Sequence, residues 1–369
     1  MEHIIITTGI ASFGMSGKIF HAPLLAHHKN FRLKRIIERT KDEVRKIYPD
    51  VLVSKSVDDL LKDDEVELIV VNTPDQTHYE YAKKCLEANK HVIVEKPFTQ
   101  TVEQGKELIA LAKRQGKILT VFQNRRWDGD FLTVQQVVKE QALGRLVDYE
   151  AHYDRYRNYI QPNTWKEQLT SGTGLIYNLG SHMIDQALML FGMPEAVTAH
   201  IKNMRTDSKV NDWYDVRLHY PNVNVALKAS YLVREPGPRY LLHGTLGSFL
   251  KWGSDPQEEA LKQGKNPNDP DWGREPEEWW GILNTEKNGA PFREKFETRP
   301  GNYNEFYDNI YDCITYGKEL AVKPEEALNV IRIIDALKKS NEMRRTILLS
   351  HVTQNNVPGQ KFETLNPKF

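Results

Sequence analysis

Gly9-Ile10-Ala11-Ser12-Phe13-Gly14-Met15-Ser16-Gly17 follows the apolar run Ile4-Ile5-Ile6 near the head of a 369-residue chain. The stretch approximates G-x-G-x-x-G, with Ser12 where that motif has its first glycine. Gly14 would let backbone approach a pyrophosphate, and Gly17 would let a helix pack closely on its strand. The helix N-terminus adds free amides and a positive dipole. An ordinary strand-to-helix turn fits the same residues, so the surroundings decide between the two readings.

Those surroundings have a rhythm. Apolar runs rich in Ile and Val lie at 3–8, 33–37, 67–72, 91–94 and 118–122. They mostly lack alternation, as strands buried on both faces of a parallel sheet do. Between them, Thr40-x-x-Glu43, Thr77-x-x-Glu80 and Thr101-x-x-Gln104 read as capping boxes. Ser56 reads as an N-cap before Val57-Asp58-Asp59, and Gly116 as the residue that closes a helix. Strand and helix alternating in this way predict a doubly wound α/β domain over 1–123.

The rhythm changes after Gln123. A helix is expected over 131–143, ended by Gly144, then strands at 147–153, 197–202, 214–220, 225–231 and 240–242. Several of these alternate apolar with polar residues, as strands solvated on one face do. Helices are expected at about 181–191 and from Pro324 onward. Residues 124–369 thus read as an α+β domain with a mainly antiparallel sheet, and 254–300 as a long surface excursion.

Composition narrows the function classes. Fifty Lys and Arg balance fifty Asp and Glu, which argues against a nucleic-acid or anionic-membrane surface as the main partner. Two cysteines, Cys85 and Cys313, fit a reducing compartment and hence the cytoplasm. No apolar run reaches the length of a membrane span, and Met1-Glu2-His3 lacks the basic start of a signal peptide. CxxC, HExxH and GxSxG are absent, so no metal is expected.

Candidate site residues fall at strand ends. Glu38 stands 21 positions after Gly17, near the roughly 20 of a ribose-binding carboxylate. It would bind a ribose diol and repel a 2′-phosphate, favouring NAD, whereas Arg39 can pair with that phosphate and leaves NADP open. Glu95-Lys96-Pro97 ends the run at 91–94, where a lysine points toward the cleft of an open α/β sheet or stays on the surface. Asn178 lies just before the expected helix, His182 in its first turn, and Asp185 three residues on, on the same helical face. A His182–Asp185 pair would raise imidazole basicity; a structural histidine is the other reading. Gln123-Asn124-Arg125-Arg126-Trp127-Asp128 sits at the crossing between domains, where small-molecule pockets form. Arg155 and Arg157 share one side of a strand and either bind a polar or anionic substrate or balance neighbouring acids.

These residues together resemble the glucose–fructose oxidoreductase, inositol dehydrogenase and MocA family. The matching pieces are the Gly14/Gly17 loop with Phe20-His21-Ala22-Pro23, Thr73-Pro74 before His78, Glu95-Lys96-Pro97, and Gly180-Ser181-His182-Met183-Ile184-Asp185. Asn124-Arg125-Arg126-Trp127-Asp128 and Arg155-Tyr156-Arg157 look most like the NADP-dependent scyllo-inositol dehydrogenase group. The resemblance implies a Rossmann domain and an α/β partner domain, with NAD or NADP and a polyol, inositol or sugar in the cleft between them. It implies cofactor contacts from Ser12, Phe13, Gly14, Met15, Ser16, Gly17, Glu38, Arg39, Thr40, Thr73, Pro74, His78, Glu95, Lys96 and Gln123. Substrate contacts would come from Asn124, Arg125, Tyr153, Arg155, Asn178 and His182, in a homodimer or homotetramer. Lys96 would polarise the reacting oxygen, and His182 would be the general base. Two departures stand out: Ser12 replaces a glycine, and Asn178 stands where the family usually has Asp. Asp185 is then the expected partner of His182. A dinucleotide sensor without catalysis and a nicotinamide-dependent glycosidase are the competing readings on this fold.

Overall fold

The computed structural model describes residues 4–162, 164–170 and 172–349. The expected strand start at His3 and residues 350–369 of the expected second domain lie outside the described residues. Six parallel strands form the first sheet: β1 (Ile6–Ile10), β2 (Phe31–Ile37), β3 (Leu52–Ser54), β4 (Leu68–Val71), β5 (His91–Val94) and β6 (Leu119–Val121). Their order is β3-β2-β1-β4-β5-β6, and every residue of β1 and β4 is buried. Helices α1 (Ala22–His27), α2 (Val44–Ile47), α3 (Val57–Leu61), α4 (His78–Glu87) and α5 (Val102–Gln115) make the crossovers. β3 has no counterpart among the apolar runs, because it is a three-residue edge strand with Leu52 exposed.

The helix starts follow the hydrogen bonds actually available. Ser56 and Asp59 form a reciprocal capping box, Thr101 accepts from the Gln104 amide at 3.2 Å, and Gly116 closes α5 with φ +61°. Thr40 and Thr77 do not cap. α2 begins only at Val44, and the Glu38 carboxylate takes the Glu43 and Val44 amides in place of a threonine. A short turn at Asp75–Thr77 precedes α4, and there the Thr77 hydroxyl bonds back to the Pro74 carbonyl at 2.7 Å.

After α6 (Gly129–Lys139) comes a nine-stranded sheet. Its strands are β7 (Leu146–His152), β8 (Ala196–Lys202), β9 (Trp213–His219), β10 (Asn224–Ser230), β11 (Tyr240–Gly244), β12 (Ser248–Lys251), β13 (Gly281–Lys287), β14 (Ala290–Phe296) and β15 (Ile347–Leu348). The order is β14-β13-β12-β11-β7-β10-β9-β8-β15, antiparallel except where β7 meets β10. Helices α7 (Ser181–Phe191) and α10 (Pro324–Met343) bury one face of this sheet, with Ile184, Ile334 and Leu337 meeting Tyr149, Val216 and Leu227.

The stretch 254–300 is ordered structure, not an excursion. It holds α8 (Gln257–Lys262) and the β13–β14 hairpin, and a Lys251–Glu275 ion pair with no exposure lies beneath it. The hairpin turns on Asn288-Gly289, both at positive φ, which is the residue pair a tight hairpin demands. A further helix, α9 (Asn304–Tyr316), lay outside the sequence-based expectations.

The sheets separate between β6 and β7, but the cores do not. Phe306, Tyr307 and Ile310 of α9 pack on Ile6, Leu68 and Ile93 of the first sheet. α10 straddles both cores: Leu328 and Ile331 join Ile69 and Val94, while Val330 and Ile334 face the second sheet. Phe306 is 1% exposed and meets Phe122 edge-to-face at 5.0 Å. Phe306→Ala should therefore cost about 3–5 kcal/mol of stability, as emptied aromatic core sites do. Urea unfolding measures it, and a loss under about 1 kcal/mol would show that α9 does not anchor the first sheet.

Candidate active site

A cleft of about 590 Å³ opens where the carboxyl ends of the parallel strands meet the second domain. The loop after β1 forms its floor. Ser12 Oγ accepts from the Gly14 amide at 3.2 Å, and Asn72 Nδ2 donates to the Ser12 carbonyl at 2.8 Å. The serine thus closes the turn that a glycine makes elsewhere. A Cβ on Gly17 would lie 2.1 Å from the Ser12 carbonyl oxygen, so only glycine lets this loop pack on its helix. On Gly14 the same Cβ would meet only Ser12 Oγ, which leaves that side of the loop open to a phosphate group. Asn72 Oδ1 and Gln123 Oε1 are buried without a protein partner among the described residues. A narrow backbone cradle with unspent polar atoms fits a dinucleotide.

Of the expected cofactor contacts, Ser12, Gly14, Met15, Ser16, Thr73, Pro74, His78, Glu95 and Lys96 line the cleft. Phe13, Gly17 and Gln123 stand behind its lining, and Glu38, Arg39 and Thr40 lie away from it. The Glu38 carboxylate is partly engaged: it accepts from the Glu43 amide at 2.9 and 3.2 Å and from Val44 at 3.3 Å. These amides compete with a ribose for the acid on which the expected leaning toward NAD rested. Arg39 is exposed, with Nη2 at 3.3 Å from the Tyr81 hydroxyl. Both ring nitrogens of His78 are taken by backbone carbonyls, Pro97 and Thr73, each at 2.9 Å. That ring holds two strand ends together.

Lys96 sits at the end of β5, followed by a cis bond to Pro97. Its Nζ donates to the Asn178 carbonyl at 2.8 Å and lies 3.3 Å from Asn178 Oδ1. Below it, the Glu95 carboxylate accepts from the Lys96 amide at 2.9 Å and meets His21 Nε2 at 3.1 Å, while His21 Nδ1 is 2.7 Å from the Tyr307 hydroxyl. Burial raises the Glu95 carboxyl, but the His21 contact and nearby positive charge outweigh it and hold it below the usual range. Burial pushes the Lys96 ammonium down to about 7, with Lys166 and Arg125 adding to the effect and Glu95 opposing it.

The helix that carries His182 starts earlier than its sequence suggests. A π-helical turn at Ile176–Gly180 runs straight into α7, so Asn178 lies inside the helix, not ahead of it. Such turns recur at functional sites because they re-aim side chains. His182 is 4% exposed, and its Nδ1 has no hydrogen-bond partner among the described residues. Burial first, then Lys96, Arg125, Arg239 and Arg155, hold its imidazole well below the usual histidine range. The imidazole is thereby biased toward its neutral form, in which one ring nitrogen keeps a free lone pair.

Asp185 does not serve His182. It forms a two-pronged pair with Arg126 (2.7 and 2.8 Å), while Arg126 also reaches Glu326 at 2.8 Å and the Ala321 carbonyl at 2.7 Å. A planar guanidinium matches a carboxylate better than an imidazole can. Asn124, Arg125, Arg155, Asn178 and His182 line the cleft, whereas Tyr153 stands behind it as the ring under Arg125 (5.3 Å) and Arg155 (5.1 Å).

The sequence reasoning missed Asp75, Lys166 and Glu258, all lining the cleft. Asp75 follows Thr73-Pro74 at a strand end, which was its available signal. Glu258 holds Arg125 Nη2 at 2.6 Å and comes from the stretch read as an excursion. Among the described residues, no group of His, Cys, Asp and Glu is placed to hold a metal, and no helix is long and apolar enough to cross a membrane.

Two family models match the chain: the oxidoreductase family NAD-binding Rossmann fold over residues 6–123, and the oxidoreductase family C-terminal alpha/beta domain over 135–349. The chain is 39% identical to scyllo-inositol 2-dehydrogenase (NADP(+)) IolW of Bacillus subtilis over 346 residues, covering 94% of this chain and 96% of that one. A solved structure from Bacteroides fragilis is 50% identical with a TM-score of 0.87, covering 94% of this chain and all of the other. An oxidoreductase from Bacillus cereus is 38% identical with a TM-score of 0.86, covering 94% and 99%.

The Lys96–Asn178 contact gives a direct test. An Asn178→Asp variant places a carboxylate beside the ammonium and should raise the Lys96 pKa from about 7 by roughly one unit or more. Lys96 then keeps its charge to higher pH, and the midpoint of its labelling by an amine-reactive reagent, followed by mass spectrometry, moves up accordingly. An unmoved midpoint would show that Asn178 does not control this charge.

Proposed function

The chain belongs to the glucose–fructose oxidoreductase, inositol dehydrogenase and MocA family and is an NAD(P)-dependent dehydrogenase; we propose that it oxidises a CH–OH group of a polyol, inositol or sugar to a carbonyl, and catalyses the reverse. One observation carries this reading: Lys96 from the Rossmann domain and His182 from the second domain line the same cleft, joined through the bond from Lys96 to Asn178, four residues before the histidine. When bound, a nicotinamide dinucleotide supplies the hydride acceptor or donor. His182, neutral and without a protein partner on Nδ1, takes the hydroxyl proton. Lys96 donates a hydrogen bond to the same oxygen and stabilises the negative charge that grows there. The walls of the cleft keep bulk water from both, so the charges act in a low-dielectric space.

We further propose NADP as the preferred cofactor. Glu38 is partly engaged in capping α2, Arg39 is exposed beside it, and the similar IolW enzyme is an NADP(+) dehydrogenase. The protein acts in the cytoplasm, where the buried thiols of Cys85 and Cys313 stay reduced. It assembles as a homodimer or homotetramer through the sheet face that α7 and α10 leave bare.

Turnover of inositols and aldoses with NAD and NADP in parallel, followed at 340 nm, tests the reaction. Lys96→Met and His182→Ala should each lower kcat by about 10²–10⁴ while cofactor affinity changes little. Full retention of rate in either variant would sink its assigned role. Cofactor binding without turnover would favour a sensor, and sugar release without net cofactor change a glycosidase. Arg39→Ala should raise KM for NADP about tenfold or more and leave KM for NAD nearly unmoved, since only the 2′-phosphate meets the guanidinium. Equal effects on both cofactors would overturn the preference.

A further inference from the structure

The fold neutralises every arginine it buries. Arg125 holds Asp128 and Glu258, Arg126 holds Asp185 and Glu326, Arg205 holds Glu167 and Asp212, and Arg239 faces Asp130 at 3.5 Å. Arg155 and Arg157, which are only partly buried, differ. Both line the cleft that holds Lys96 and His182, and neither has a carboxylate within ion-pair distance among the described residues. Lys166, on the same wall, has none either.

The two arginines are held in place. The Arg155 amide donates to the Ser230 carbonyl at 2.9 Å, the Arg157 amide to Tyr231 at 2.7 Å, and Tyr156 bridges to Leu232 between them. The Arg155 guanidinium lies over the Tyr153 ring at 5.1 Å and that of Arg157 over Tyr231 at 5.4 Å. Stacking fixes each guanidinium plane and leaves its N–H edge free to donate. Burial lowers the Lys166 pKa, Arg157 and Arg155 add to the shift, and Glu95 and Glu258 oppose it. Guanidinium and ammonium groups only donate, whereas the acceptors of the cleft include Asp75 and Glu258, the latter already paired with Arg125. A carboxylate or phosphate, which only accepts, is the complementary group.

We propose that the substrate is an anionic polyol or sugar, whose carboxylate or phosphate is held by Arg155, Arg157 and Lys166 while a carbinol carbon lies at Lys96 and His182. The proposal rests on the dehydrogenase reading above and narrows it. The chemistry at the carbinol is unchanged: its hydride leaves for the nicotinamide, its hydroxyl proton goes to His182, and the anion takes no part in bond making.

The test uses the cofactor-loaded protein and compares glucose and myo-inositol with gluconate and with glucose 6-phosphate. The expected result is a kcat/KM at least about tenfold higher for one of the anions, and the carboxylate and phosphate arms identify which. In an Arg155→Gln/Arg157→Gln variant the anion-to-neutral ratio of kcat/KM should fall about tenfold. Neutral compounds that match or exceed the anions, or a ratio that the variant leaves unchanged, would overturn the proposal. So would a variant whose main defect is weaker cofactor binding, measured by nicotinamide fluorescence. If nothing is turned over, the dehydrogenase reading fails on its own, and calorimetry still decides the anion site. Gluconate or glucose 6-phosphate binding that weakens about tenfold in the variant upholds it; no binding, or binding the variant does not change, rejects it.

Discussion

Arg126 ties three segments together through one side chain. It leaves the end of β6, grips Asp185 one turn after His182 on α7, and reaches Glu326 and the Ala321 carbonyl at the start of α10. The side chains of Arg126 and Asp185 are almost wholly buried. Losing one partner of such a pair leaves the other charged and dry, at a cost of about 3–5 kcal/mol. The position of His182 over the first domain follows from this grip. The bond from Lys96 to Asn178 ties the end of β5 to the turn that leads into α7.

The electrostatics of the cleft follow from the same burial. Lys96 and His182 are both held back from their charged forms, because water is scarce around them and other cations are near. In the reaction proposed above, the imidazole in its neutral form would take the proton and the lysine in its charged form would hold the negative charge. Glu95 only partly offsets the shift of the lysine. Its carboxylate is spent on His21 and the Lys96 amide, so it supports the strand end.

Much of this was legible in the sequence where residues act locally. Unalternating Ile and Val runs gave the buried parallel strands, and Ser56, Thr101 and Gly116 marked helix ends through bonds to their own neighbours. Reading failed where a distant residue won the contact. Thr40 lost its capping role to Glu38, and His182 lost Asp185 to Arg126, a competition that spacing along one helix does not reveal. β3 was too short and too exposed at an edge to show as an apolar run. The hairpin at Asn288-Gly289 was readable from its turn pair, but the polar β14 hid it, since most of that strand faces solvent. The Lys96, Asn178 and His182 constellation was visible as motifs; that Asn178 serves the lysine was not.

The return of α9 and α10 onto the first sheet has a consequence for how this architecture can be recombined. Residues 1–123 contain every strand of the parallel sheet, yet Phe306, Tyr307, Ile310, Leu328 and Ile331 complete the cores on its two faces. Cut at the sheet boundary, that fragment would present two unpaved apolar floors to water. A grafted or exchanged nucleotide module would have to carry the stretch from Tyr303 to Ile331 with it, either by circular rearrangement or by supplying those helices in trans. The polypeptide crosses between its halves more than once, and so neither half closes its core alone.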